Sequence, residues 1–208
     1  MTAPTNPPAT PSSEPLTADG TSHDLHPLEV QRRENRARVA ELGFDPYGQR
    51  TDGVLPLAKA RAAYDEPADA AHQASEAAAK QAKKDHPDAK PPAIVDERPT
   101  VRVAGRVVLH RDNGKLVWMN LRDPSSESFQ IAVSKRDCDA DGFAVAKAAD
   151  LGDIIIADGP LMKTRAGEVT CWASSVRPAS KCLTPPPEKR AGLADIESRY
   201  RKRYVDLW

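Results

Sequence analysis

Three consecutive runs of alternating apolar and polar residues constrain this chain more than any other feature. In "VRVAGRVVLHR", Val101, Val103 and Val107 share one parity with Gly105, and Arg102, Ala104 and Arg106 take the other. In "KLVWMNLRD", Val117, Met119 and Leu121 oppose Leu116, Trp118 and Asn120. In "SFQIAVSK", Phe129, Ile131 and Val133 oppose Gln130 and Ala132. A period of two puts alternate side chains on opposite faces of a strand, so each run predicts a strand that buries one face. The first two are joined at Asp112-Asn113-Gly114, a hairpin signal in which both Asn and Gly tolerate positive φ.

"DADGFAVAKAAD" then reads as a short helix whose apolar residues are Phe143, Val145, Ala146 and Ala149. Two further strands follow, "DIIIADGPLMKTR" and "EVTCWASSVRPAS", with a turn at Ala166-Gly167. Five strands with one helix between the third and fourth is the layout of the OB-fold barrel, which the hairpin spacing favours over the alternative of a split sandwich. The expected fold class is therefore mainly β, a five-stranded OB-fold barrel over residues 99–183 with one inter-strand helix.

The flanks read differently. Residues 1–27 are rich in Pro, Ser and Thr, with too little apolar surface to offset the entropy of ordering, and are expected to be a disordered leader. Leu28 to Leu42 predicts a helix, with Gly43 at the residue after its C-cap and Pro46 just beyond. This helix carries Arg32, Arg33 and Arg36, candidate contacts to nucleic-acid phosphates. Residues 54–97 are Ala-rich and predict helix on both sides of Pro67, ended by Pro87 and Pro91-Pro92. Little apolar bulk is present there for docking, so residues 28–98 are expected to be an N-terminal helix followed by an exposed helical insertion. Residues 184–208 read as a Pro-rich connector and a basic amphipathic helix carrying Arg199, Arg201, Lys202 and Arg203.

Charge supports a polyanionic partner only mildly. Lys and Arg number 30, as do Asp and Glu, but residues 98–208 hold 19 against 14, about +5. Cys138, Cys171 and Cys182 show no metal-type spacing and read as reduced thiols, and no metal site is expected. No run of 18 apolar residues and no apolar signal region is present, so no membrane partner is expected. No phosphate-binding glycine motif, nucleophile elbow or catalytic acid pair occurs, so no catalytic residue and no cofactor is assigned to this chain.

The face opposite the apolar one poses the functional question. Arg106, Trp118, Asn120 and Gln130 all fall there, and Trp is the largest aromatic placed where a sheet would be wet. An indole can stack a base, an amide can read a base edge, and a guanidinium can hold a base or phosphate. Packing under the N-terminal helix or the insertion would equally account for the Trp.

The stretches "RRENRARVAELGFDPYG", "VRVAGRV" with "GKLVWMNLRD", "LGDIIIADGPLMKTRAGEVT" and "LTPPPEKRAGLADIESRYRKRYVDLW" together resemble bacterial-type class II lysyl-tRNA synthetases. The resemblance covers residues 29–208, apart from the insertion. It implies that the barrel binds the tRNA anticodon loop, with Trp118 at the family's usual Phe, Gln130 at its Gln and Arg106 at its "AGR" arginine. Ser175 falls where the family carries a base-reading Glu, which puts that discrimination in doubt. ATP and magnesium are implied for the whole enzyme, through motifs expected after residue 208. Also implied are the chain's own catalytic domain or a homodimer partner, and a cytoplasmic location. The apolar end "YVDLW" favours a fragment of a lysine–tRNA ligase, inactive alone. Two alternatives are a stand-alone binder of single-stranded nucleic acid and a barrel that mediates protein contacts.

Overall fold

The computed structural model describes residues 25–48, 50–85, 93–94, 96–187, 192–193 and 195–206. The leader through residue 24, the predicted breaks at Pro87 and Pro91-Pro92, and the terminal Leu207 and Trp208 lie outside these residues.

The alternating runs become strands β1 (Thr100–Asp112), β2 (Leu116–Asp123) and β3 (Ser126–Ser134). Helix α4 (Ala140–Lys147) follows, its N-terminus capped by the Asp139 carboxylate, which accepts from Gly142 N. Strand β4 (Ile154–Lys163) comes next. The predicted last strand is divided at Ser174 into β5 (Val169–Ala173) and β6 (Ser175–Ser180).

β1 pairs antiparallel with both β2 and β4, β2 with β3, β3 runs parallel to β5, and β5 pairs with β4. The five strands therefore close on themselves, and no edge is left around that ring. β6 continues along β4 outside the ring. Gly159 sits where β4 changes partner from β6 to β5. A Cβ there would lie 2.1 Å from the Trp172 carbonyl oxygen, so only Gly lets the two strands cross this closely.

The barrel interior holds Val101, Val103, Val107, Val117, Met119, Leu121, Phe129, Ile131 and Val133, all buried. Phe143, Val145 and Ala146 of α4 pack onto the same core. The parity read from the sequence is kept except at one point. A register shift between Val107 and Leu109 inserts an extra residue, and both Val107 and Val108 are buried. The Asn113-Gly114 turn departs from the expectation as well. Gly114 has φ +78°, but among the described residues no non-glycine has positive φ, so Asn113 keeps an ordinary backbone. Gly114 N instead donates to the Asp112 carboxylate at 2.7 Å, and this bond shapes the turn.

Helix α1 (Pro27–Glu41) ends as predicted, with Gly43 at φ +84°. The insertion forms α2 (Leu57–Ala62) and α3 (Glu66–Asp85), and Pro67 lies in the first turn of α3, where a missing N–H costs nothing. The insertion docks more firmly than its composition suggests. Leu57 and Ala60 are fully buried against the barrel, and Leu57 N donates to the Asp123 carboxylate (2.9 Å). Burying one Leu contributes about 1.5–3 kcal/mol, enough to hold a six-residue helix that would not form alone. α3 is held by Asp69, 1% exposed, whose Oδ2 accepts from Tyr64 OH (2.9 Å) and Lys163 N (2.8 Å). Burial, and then the neighbouring Asp69, push the Tyr64 hydroxyl up to about 12.

After the connector the single amphipathic helix expected is two short ones, α5 (Ile196–Arg201) and α6 (Arg203–Asp206), with Ile196, Tyr200 and Tyr204 exposed. Among the described residues no helix is long and apolar enough to cross a membrane.

Candidate nucleic-acid interface

Register places the outward residues of four strands in two rows. Arg111 lies opposite Trp118, Trp118 opposite Ala132, and Ala132 opposite Trp172. The second row runs Leu109, Asn120, Gln130, Thr170. Trp118 and Trp172 meet edge to face, with ring centroids 6.3 Å apart and planes at 82°. Between them Ala132 is 0% exposed although it points away from the core, because the two indoles close over it. Both indoles remain partly exposed. Helix α1 does not cover them, being pinned at Asp150 and Cys182.

Both amides and the Trp172 indole are oriented by hydrogen bonds. The Gln130 amide oxygen accepts from the Thr170 hydroxyl at 2.8 Å, which turns its NH2 group away from that bond. Asn120 donates to the Ser128 hydroxyl at 2.7 Å, and its own Oδ1 is buried without a partner. The Trp172 indole N–H donates to the Asp137 carboxylate at 3.0 Å, and Arg136 donates to the other oxygen at 2.7 Å. Burial pushes the Asp137 carboxyl up, but the bonds from Arg136, Trp172 and Ser134 outweigh it, so the group is held below the usual range.

The predicted site residues are not all brought together. Trp118 and Gln130 share the face. Arg106 does not stand beside Trp118: it pairs across the ladder with Arg122, four residues further along β2, and its guanidinium donates to Gly152 O at 2.8 Å. Its side chain faces away from the core, as the alternation predicts, but at the far end of β2 from Trp118. Arg106 and Arg122 flank a separate shallow groove with Pro124 and Ile154. Ser175 begins β6 and pairs with Asp158 on β4, beyond the bend at Ser174 and off these rows. Arg32 is 7% exposed and donates to Cys182 O at 2.7 Å, so it is a strut between α1 and the barrel and not a phosphate contact. Arg33 is exposed and Arg36 half-buried on the same helix.

Two residues of the face escaped the sequence reading. Trp172 was visible by the same parity argument, since Cys171 and Ala173 flank it as core residues. Arg111 was not, because the extra residue at Val108 reverses the parity beyond it. Among the described residues no three His, Cys, Asp or Glu side chains converge on a possible metal position.

A closed five-stranded barrel with an inter-strand helix and an outward aromatic pair defines an OB-fold nucleic-acid-binding domain. Residues 101–179 match the family model of that description, OB-fold nucleic acid binding domain, of the tRNA anticodon type. The segment is a tRNA anticodon-binding OB-fold domain, and curated proteins similar to the chain include lysine–tRNA ligases. That of Streptococcus suis is 34% identical over 184 residues, 88% of this chain and 32% of the relative. That of Streptococcus pyogenes serotype M5 is 34% identical over 185 residues, again 88% and 32%. The Streptococcus gordonii protein is 32% identical over 184 residues, with the same shares. The chain thus spans about a third of the length of these relatives.

Proposed function

We propose that the chain reads the anticodon loop of a lysine-accepting tRNA, as the anticodon-binding part of a lysine–tRNA ligase. The observation that carries the reading is the edge-to-face pair Trp118–Trp172, half-open on the outside of an anticodon-type barrel. A base laid on Trp118 gains stacking worth roughly 1–3 kcal/mol. Gln130, its carbonyl already engaged by Thr170, offers N–H donors to the edge of that base or its neighbour. Arg111, directly across from Trp118, meets the phosphate beside the stacked base. Arg106, and Arg33 with Arg36, continue the backbone track toward α1. Ser175 has no carboxylate, so base selection falls more heavily on Gln130.

On this reading the activation of lysine with ATP and magnesium belongs to the whole enzyme, and none of the residues described above is assigned to it. A catalytic domain or a second copy would be the protein partner, and the cytoplasm the location.

Anisotropy titrations with anticodon stem-loops of differing sequence, at two salt concentrations, test the reading. A lysine-type loop should bind tightest, with an affinity that falls as salt rises. Equal binding of every loop and of unstructured RNA would replace anticodon reading by general single-strand binding, and salt-independent or absent binding would remove nucleic acid altogether.

A further inference from the structure

We propose that the cleft between α3 and the outer side of β4 and β5 is a pocket for one further nucleobase of the bound RNA, splayed out of the loop. The inference rests on the anticodon-binding reading and extends its site onto the insertion.

The cleft encloses about 550 Å³, within the range of pockets that hold small organic ligands. It exists because α3 is held at Asp69 and stands off the sheet further along, where its Ala-rich sequence supplies no bulk to fill the gap. The floor is flat and apolar: Trp172, Met162 and Pro160. The walls are three ion pairs, Lys80–Glu76 at 2.8 Å, Arg98–Asp96 at 2.7 Å and Arg136–Asp137 at 2.7 Å. Arg98 bonds hold the Asp96 carboxyl down to about 2 against its burial, so that pair is charged at neutral pH.

Charge balance decides the ligand class. Each of these wall cations already has a carboxylate, so a phosphate gains no free positive charge. A neutral heterocycle finds fixed acceptors for its amino and imino hydrogens, fixed donors for its carbonyl oxygens, and an indole to stack on. Trp172 is common to both places: it closes the outer row beside Trp118 and floors the cleft. A strand that leaves one base on Trp118 can therefore turn the next one over Trp172 and under α3.

The test uses the full chain and anticodon stem-loops carrying 2-aminopurine at successive loop positions. Gln73 is exposed and lines the cleft, so Gln73→Trp fills the space without crowding the core. One loop position, distinct from the one quenched through Trp118, should be quenched in the wild type and released in Gln73→Trp. Loop affinity should fall about tenfold, and Gln73→Ala should leave the quenching in place. Retained binding with no position sensitive to Gln73→Trp overturns the pocket alone. Absence of any loop binding by the wild type overturns the anticodon reading and the pocket with it.

Discussion

Replacing Lys181 by Met should destabilise this protein more than any surface substitution. Its side chain is 3% exposed, and the ammonium uses all three of its donors. They go to Asp150 Oδ2 at 2.6 Å, Asp153 Oδ2 at 2.5 Å and the Ala148 carbonyl oxygen at 2.7 Å. The last of these is at the C-terminus of α4, where a cation also complements the helix dipole. Asp150 in turn accepts from Asn35 of α1 at 3.1 and 3.2 Å, and Asp153 accepts from Cys182 N at 2.7 Å. One ammonium thus ties α1, α4, the turn before β4 and the end of β6. Met matches its length and apolar stem but leaves two carboxylates without a counter-charge, one of them 3% exposed. The loss follows from leaving charge buried and unpaired, about 3–5 kcal/mol. At about 2–4 °C per kcal/mol for a domain of this size, the midpoint should fall by roughly 6–20 °C. Thermal and urea unfolding followed by circular dichroism measures both. Asp153→Asn in the Lys181→Met background should recover part of the loss, since it removes one orphaned charge and keeps an acceptor for Cys182 N. A loss under about 1 kcal/mol, or strict additivity in the double variant, would refute the reasoning.

Asp69→Ala should loosen α3 while the barrel stays folded, because Asp69 bonds both Tyr64 and Lys163 N; faster hydrogen exchange confined to residues 64–85 is the expected result. The folded pKa of Asp137 is depressed, so its contribution is complete above the ordinary Asp value of about 3.9 and is lost as pH falls through the lower folded value. Trp172 fluorescence, read in a Trp118→Phe, Trp208→Phe background, should therefore titrate with a midpoint below about 3.9, and a midpoint above it contradicts the assignment. Arg111→Ala should reduce the log–log salt slope of loop binding by about 0.7, one single-strand phosphate contact.

Much of the fold was legible because the parity signal is unusually clean. Val117, Met119 and Leu121, then Phe129, Ile131 and Val133, leave no ambiguity about which face is buried, and they placed Trp118 and Gln130 outside. What escaped was non-local. The extra residue at Val108 carries no mark in a run of valines, yet it sends Leu109 and Arg111 outward; the hairpin register, with Asp112 opposite Val117, is what places Arg106 opposite Arg122 and away from Trp118. Arg32 looked like its exposed neighbour Arg33, and only the docking of α1 on Cys182 O tells them apart. The insertion looked detached because composition counts apolar bulk; two fully buried small contacts, Leu57 and Ala60, and one buried Asp do the anchoring. The break of the last strand at Ser174 lies beside the close approach of Gly159 to Trp172 and Ala173, a contact that no local pattern marks.

RNA binding by this face depends on the two indoles. The direct measurement is the affinity of Trp118→Ala and Trp118→Phe for a lysine-type anticodon stem-loop, with unfolding curves recorded on the same samples. Trp118 lies outside the core, so the Ala variant should keep the barrel folded and bind roughly ten- to a hundredfold more weakly, the equivalent of one lost base stack of about 1–3 kcal/mol. Phe preserves a flat ring and should retain most of the affinity. Unchanged binding by Trp118→Ala, or a barrel that unfolds on losing the ring, would make the Trp118–Trp172 pair a packing device and contradict the assignment of this face.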